Sequence, residues 1–159
     1  MNLTALIPGC KYFTWKEALW LPEESRSVSD EELTDELKEN LINTFQWMDK
    51  VREWIGKPIT VTIALRTMKY HLDLYKRINS KRALQGLPEL PVPMGSMHLK
   101  GRAVDFVVKG MSCDDFKKKM LDEAKLDEWN LRMEDNGLGA NWIHLDDKAP
   151  GPSGRFFKP

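Results

Sequence analysis

The sequence predicts an α+β domain, a small, mostly antiparallel sheet packed with helices, as one unit over residues 1–159. Three observations lead there. ITVTIAL at 59–65, AVDFVV at 103–108 and NWIHLD at 141–146 read as short strands, rich in β-branched residues or alternating in polarity. Segments with apolar residues at helical spacing lie before and between them. The order is helix, strand, helix, long connection, strand, helix, strand, strand, which suits a mostly antiparallel sheet with helices on one side.

Residues 1–28 read as mostly irregular, with FTWKEAL as a short helical turn. Ser29 and Glu32 fit a capping box, and Leu33, Leu37, Leu41, Phe45, Met48 and Ile55 follow at roughly helical spacing, so a helix is expected from there to about Ile55. Gly56 ends it and Pro58 opposes its resumption. The strand at 59–65 has Arg66 at its end. TMKYHLDLYKRI reads as a helix with Met68, His71 or Leu72, Tyr75 and Ile78 inward. Residues 79–97 form a connection punctuated by Gly86, Pro88, Pro91, Pro93 and Gly95, which delivers the chain to His98. After the strand at 103–108, Ser112 caps a helix over 113–126. WNLRME is a candidate strand, NGLG a turn, and DKAPGPSGRFFKP an irregular surface tail.

Composition excludes several classes. Lys plus Arg equals Asp plus Glu, 24 each, so no overall charge favours nucleic acid as a partner. No run of about 18 apolar residues suggests a membrane span. The N-terminus lacks the basic opening and apolar core of a secretory signal. Cys10 and Cys113 do not make a disulfide framework and read as small apolar fillers. The six tryptophans read first as core, with Trp142 either packing, covering a site or gripping a ligand.

SMHLKGRAVDF, residues 96–106, poses the chemical question, because Asp105 stands inside an apolar strand. A lone buried carboxylate is expensive, so it needs a cation or a partner. In the last strand, period two puts Trp142, His144 and Asp146 on one face and Ile143 and Leu145 on the other. His98, Asp105 and His144 then form a candidate zinc set. Zinc on three such ligands keeps one position for water and lowers its pKa. Copper, iron and manganese accept the same donors. Spacing alone also allows ordinary polar histidines, with Asp105 paired to Arg102 or Arg66.

The stretch resembles the S-x-H-x-x-G-x-A-x-D signature of the D-alanyl-D-alanine carboxypeptidase family of zinc peptidases, which includes phage cell-wall endopeptidases. NWIHLD resembles its C-terminal W/F-x-H-x-D segment. KPITVTIALRT resembles the strand that usually ends in S-G-Y-R, and FTWKEAL, Asn79 and MGSMH resemble further family features in the right order. The likeness spans nearly the whole chain and is greatest to the family's short branch in phages and bacteria. It implies a carboxypeptidase-like fold with Zn2+ held by His98, Asp105 and His144, and Arg66 orienting substrate or stabilising the transition state. It further implies a peptidoglycan stem peptide as substrate, cut as a D,D-carboxypeptidase or endopeptidase would cut it. A phage lysis enzyme that stays cytoplasmic until a pore forms, or a virion module, fits this reading.

The chain departs from the family at two places. Ile63, Ala64 and Leu65 replace S-G-Y, and Asn141 stands where many relatives carry an acidic base. Asn has no carboxylate to take a proton. Asp146 shares the face of His144 and is the chosen replacement, either as base or as the group that holds the imidazole. Glu134 and Asp135 are further candidates, read more simply as surface charge. Gly101 and Ala103 are expected to let backbone approach the metal, and His71 to be a packed or exposed helix residue. Two other functions stand beside the peptidase: a non-catalytic zinc-bound structural or wall-binding domain, and a zinc peptidase or amidase with a non-wall substrate.

Overall fold

A computed structural model describes residues 1–158. In chain order the elements are α1 (Trp15–Leu19), β1 (Trp20–Leu21), β2 (Arg26–Ser27), α2 (Asp35–Ile55), β3 (Ile59–Ile63), α3 (Met68–Leu84), β4 (Ala103–Val108), α4 (Cys113–Asp122), α5 (Lys125–Glu128), β5 (Arg132–Glu134), β6 (Ile143–Asp146) and β7 (Phe156–Phe157). Five strands form one sheet in the order β3-β4-β6-β5-β7, and β1 and β2 form a separate hairpin. All pairs in the main sheet are antiparallel except β5 with β7. The fold is therefore α+β with a small mixed sheet packed against helices.

One face of the sheet is the core. Val104, Phe106, Met133, Ile143 and Leu145 lie there with Leu41, Phe45 and Met48 of α2 and Phe116 and Met120 of α4, all fully buried. The α2 residues recur at intervals of three and four, the stripe a helix needs to meet a sheet. Cys10 and Cys113 are buried and unpaired within this cluster, as fillers. Among the described residues, no helix is long and apolar enough to cross a membrane.

Several boundaries differ from the sequence reading, each for a local reason. The α2 helix starts at Asp35, because Thr34 is its cap and accepts from the Leu37 amide at 3.2 Å. Glu32 does reach back to the Ser29 amide, at 2.9 Å, but it is also clamped by Arg26, so this closes a turn ahead of the helix. The 113–126 helix breaks at Ala124, which is left-handed at φ 51°, and α5 follows. The tail is not wholly irregular: Phe156 and Phe157 pair in parallel with Met133 and Glu134.

The largest difference is α3. It runs to Leu84, and only Tyr70 and His71 on it are buried; Met68 and Leu72 are exposed. Leu74, Tyr75 and Ile78 instead wall a cleft over the non-core face of the sheet. Helices therefore stand on both sides, not one. The loop after α3 is fastened to it by Asn79, whose amide donates to the Leu90 carbonyl and accepts from the Leu90 amide, each at 2.9 Å.

Candidate metal centre

Three elements deliver the three candidate ligands. Asp105 and His144 lie directly opposite each other on β4 and β6. His98 comes from a 3-10 turn, Met97–Lys100, which α2 holds from behind. Asn40 donates to the Lys100 carbonyl at 3.0 Å and Thr44 to the Gly101 carbonyl at 2.9 Å. Gly101 closes the turn at φ +65°, and a Cβ there would press on Leu41 at 3.2 Å. The close approach that this glycine permits is thus to α2, not to the metal. Ala103 is buried in the sheet opposite Asp146.

The three side chains, all buried, aim at one point. His98 Nε2 lies 3.2 Å from Asp105 Oδ1 and 3.2 Å from His144 Nδ1, and the last two atoms are 2.7 Å apart. Zinc bonds of about 2.0–2.1 Å at tetrahedral angles place ligand atoms roughly 3.3 Å apart, so the triangle needs only a slight opening to take such an ion.

The surroundings fix which nitrogens face inward. His98 Nδ1 donates to the Ala64 carbonyl at 2.7 Å, so its Nε2 presents a lone pair. Ala64 is placed by β3, whose register against β4 shifts at a bulge between Val61 and Ile63. His144 Nε2 faces Asp146 Oδ2 at 3.3 Å, leaving Nδ1 for the centre. Three lone pairs converging on one point repel each other unless a cation or a proton lies between them. Electrostatics agree. Burial lowers the pKa of His98. Burial also pulls His144 down, but its hydrogen bonds to Asp105 and Asp146 prevail and raise it to about 9. Burial pushes Asp105 up, and the attraction of the two histidines outweighs that and holds it well below the usual carboxylate range. A divalent ion and a proton on His144 therefore compete for the same place. The structure thus has a buried His-Asp-His cluster capable of coordinating a metal ion.

Asp146 is fully occupied. Its Oδ1 accepts from Arg132 Nε at 2.8 Å and the Lys148 amide at 2.9 Å; its Oδ2 accepts from Arg132 Nη2 at 2.7 Å and faces His144 Nε2. A carboxylate offers about four lone-pair sites, and all are taken. Of the two roles that the sequence leaves open for Asp146, this bonding fits holding the imidazole and leaves no site for a further proton.

Arg66 sits at the cleft and donates from Nη2 to Asp105 Oδ2 at 3.1 Å, while its backbone amide donates to the His98 carbonyl at 3.0 Å. The Asp105–Arg66 pairing and the metal geometry are therefore not alternatives, because each uses a different oxygen. Arg102 pairs with Asp147 instead, at 2.8 Å. The buried Arg66 Nε has no partner among the described residues. His71 is buried, its ring 5.1 Å from that of Tyr75, and burial lowers its pKa.

The remaining acids separate by strand face. Glu134 lines the cleft, and burial raises its pKa more than the attraction of His144 lowers it. Asp135 points elsewhere and accepts from the Gly137 amide at 3.3 Å in the turn. Asn141 is exposed, outside the cleft, whereas Trp142 lines it. The cleft encloses about 860 Å³. Sequence reasoning missed Arg132 and the Ala64 carbonyl. Arg132 matters only because β5 pairs with β6 and sets it opposite Asp146, and a backbone carbonyl carries no side-chain signal.

Comparisons with family models, curated proteins and solved structures give no match for the chain.

Proposed function

We propose that the chain binds one zinc ion through His98, Asp105 and His144, and that this ion is the centre of a hydrolase. The convergence of three lone pairs at the floor of an open cleft carries this reading. Two imidazoles and one carboxylate are a donor set that suits zinc and leaves a position for exchangeable ligands. Zinc, when bound, supplies a Lewis acid for a carbonyl and lowers the pKa of water.

The chain's own residues then take definite parts. Asp146, gripped by Arg132, orients His144. Arg66 fixes the outer oxygen of Asp105 and offers its remaining N–H groups to a developing oxyanion or a substrate carboxylate. The resemblance of residues 96–106 and 141–146 to D-alanyl-D-alanine carboxypeptidases supports peptide bonds of peptidoglycan stems or cross-links as the substrate, and a phage lysis or virion enzyme as the setting.

The second reading is a non-catalytic zinc-bound domain, structural or wall-binding. It needs nothing beyond the triad, and it is favoured by Asn141 at the family's base position and by the saturated carboxylate of Asp146. Elemental analysis, paired with product release from purified peptidoglycan and from free peptides, separates the readings. One zinc per chain with wall fragments released supports the peptidase. Cleavage of free peptides alone points to a non-wall substrate. Zinc without any cleavage supports the binding domain.

A further inference from the structure

Four carboxylates line the cleft: Glu23, Asp105, Glu134 and Asp146. Three are engaged. Glu23 accepts from the Tyr70 hydroxyl and pairs with Arg77 at 3.4 Å. Asp105 is held by Arg66 and the two histidines, and Asp146 by four donors. Glu134 has no hydrogen-bond or ion-pair partner among the described residues.

Its placement is set by the sheet. β5 and β6 pair through Arg132 with Asp146 and Met133 with Leu145. One residue further along, period two returns Glu134 to the face of Arg132, beside His144, while Met133 is fully buried on the core face. Lys117, from α4, is diverted: it donates to the Asn136 side chain and the Gly137 carbonyl. Those bonds anchor the backbone that follows Glu134 and leave its carboxylate free. A half-buried acid kept without a partner beside a metal-binding triad is poorly explained by stability, since desolvation of an unpaired carboxylate is unfavourable.

We infer that Glu134 is the proton-transferring residue of the site, supplied by β5, the strand next to the one that carries His144; this rests on the hydrolase reading above. In amide hydrolysis, the oxygen of a water forms a bond to the carbonyl carbon as one of its protons passes to the Glu134 carboxylate. The C–N bond then breaks, its electron pair leaves with nitrogen, and the proton on Glu134 passes to that nitrogen. Glu134 ends as it began, and the products are a carboxylic acid and an amine. Asp146 has no free lone pair for this transfer.

The test uses the full chain with Glu134→Gln, Glu134→Asp and Glu134→Ala. Zinc affinity is read by competition with a chromophoric chelator, folding by a melting curve, and turnover on purified peptidoglycan and free peptides. In Glu134→Gln, zinc affinity and KM stay within about threefold of wild type, while kcat falls roughly 100-fold or more. Glu134→Asp keeps more turnover than Glu134→Gln, and added formate raises the rate of Glu134→Ala in proportion to its concentration. A tenfold loss of zinc affinity in Glu134→Gln overturns the assignment, because it makes Glu134 a support of the metal. Full turnover of Glu134→Gln beside an active wild type overturns Glu134 alone. A wild type that holds zinc and cleaves neither substrate overturns the hydrolase reading, and this role with it.

Discussion

On the face of the sheet that meets α2 and α4, Val104, Phe106, Ile143 and Leu145 are fully buried among apolar side chains. One residue along each strand, Asp105, His144 and Asp146 are nearly as buried, yet their carboxylates and ring nitrogens are held by charged partners. The two faces share a backbone and differ by a step of one residue. The first face gains from removing area from water; the second holds charges that only partners, protons or a cation make tolerable. Burial alone does not distinguish a core from a site. What distinguishes them is whether the buried groups complete one another.

The largest effect that sharpens this contrast is expected on the apolar side. Phe106→Ala should lower stability by about 3–5 kcal/mol in urea titration, because the cavity cannot be refilled by the packed α2 and α4 side chains. A loss under about 1 kcal/mol would mean that this face is not the main core.

The polar face should respond to metal instead. Zinc at about 1,000 times its Kd should add roughly 4 kcal/mol to the wild type, reversibly on chelation. His144→Ala should gain almost nothing, in paired melting curves with and without zinc.

Next in size is a pH signature of the metal-free protein. The His144 pKa is raised to about 9 in the fold, so its contribution is present in full below its unfolded pKa near 6.5 and is lost as pH rises through about 9. The change is on the order of 3 kcal/mol. Zinc affinity should rise over the same window, since the ion displaces that proton. Denaturant midpoints from pH 6 to 10, with and without zinc, check both signs.

Asp146→Asn should weaken zinc binding about 10–100-fold, as loss of a partner behind a ligating imidazole does. Chelator competition measures it, and unchanged affinity would remove Asp146 from the site's support. Smallest is Thr34→Ala, remote from both faces, which should cost about 1 kcal/mol of stability through the lost cap and leave zinc affinity alone.

Much of this contrast was legible in the residues. Alternation in NWIHLD placed Ile143 and Leu145 against the core and His144 with Asp146 opposite, because period two is a property of any strand. The spacing of His98 and Asp105, with glycine between, marked the metal candidates. Partners set by pairing between distant strands were not legible. Glu134 and Asp135 look alike in the chain, and only the register of β5 on β6 turns the first to the cleft and leaves the second in the turn. Met68 and Leu72 fit a buried helical stripe, but α3 faces a cleft, so periodicity overestimated its burial. β7 escaped notice because two aromatic residues in a Gly- and Pro-rich tail carry no strand pattern of their own.

The two histidines also differ in what mutation can do to them. His144 depends on the side chains of Asp146 and Arg132, and a single nucleotide change can remove either. His98 depends on the carbonyl of Ala64, which any amino acid at that position supplies. Drift at residue 64 therefore never deletes the acceptor itself and is limited by space, since Ala64 is fully buried, whereas drift at 132 or 146 removes the polar group outright. Under random mutagenesis, lesions in the imidazole supports should follow the loss of polar groups at 132 and 146, but follow side-chain size at 64. A screen for zinc retention would map the asymmetry directly.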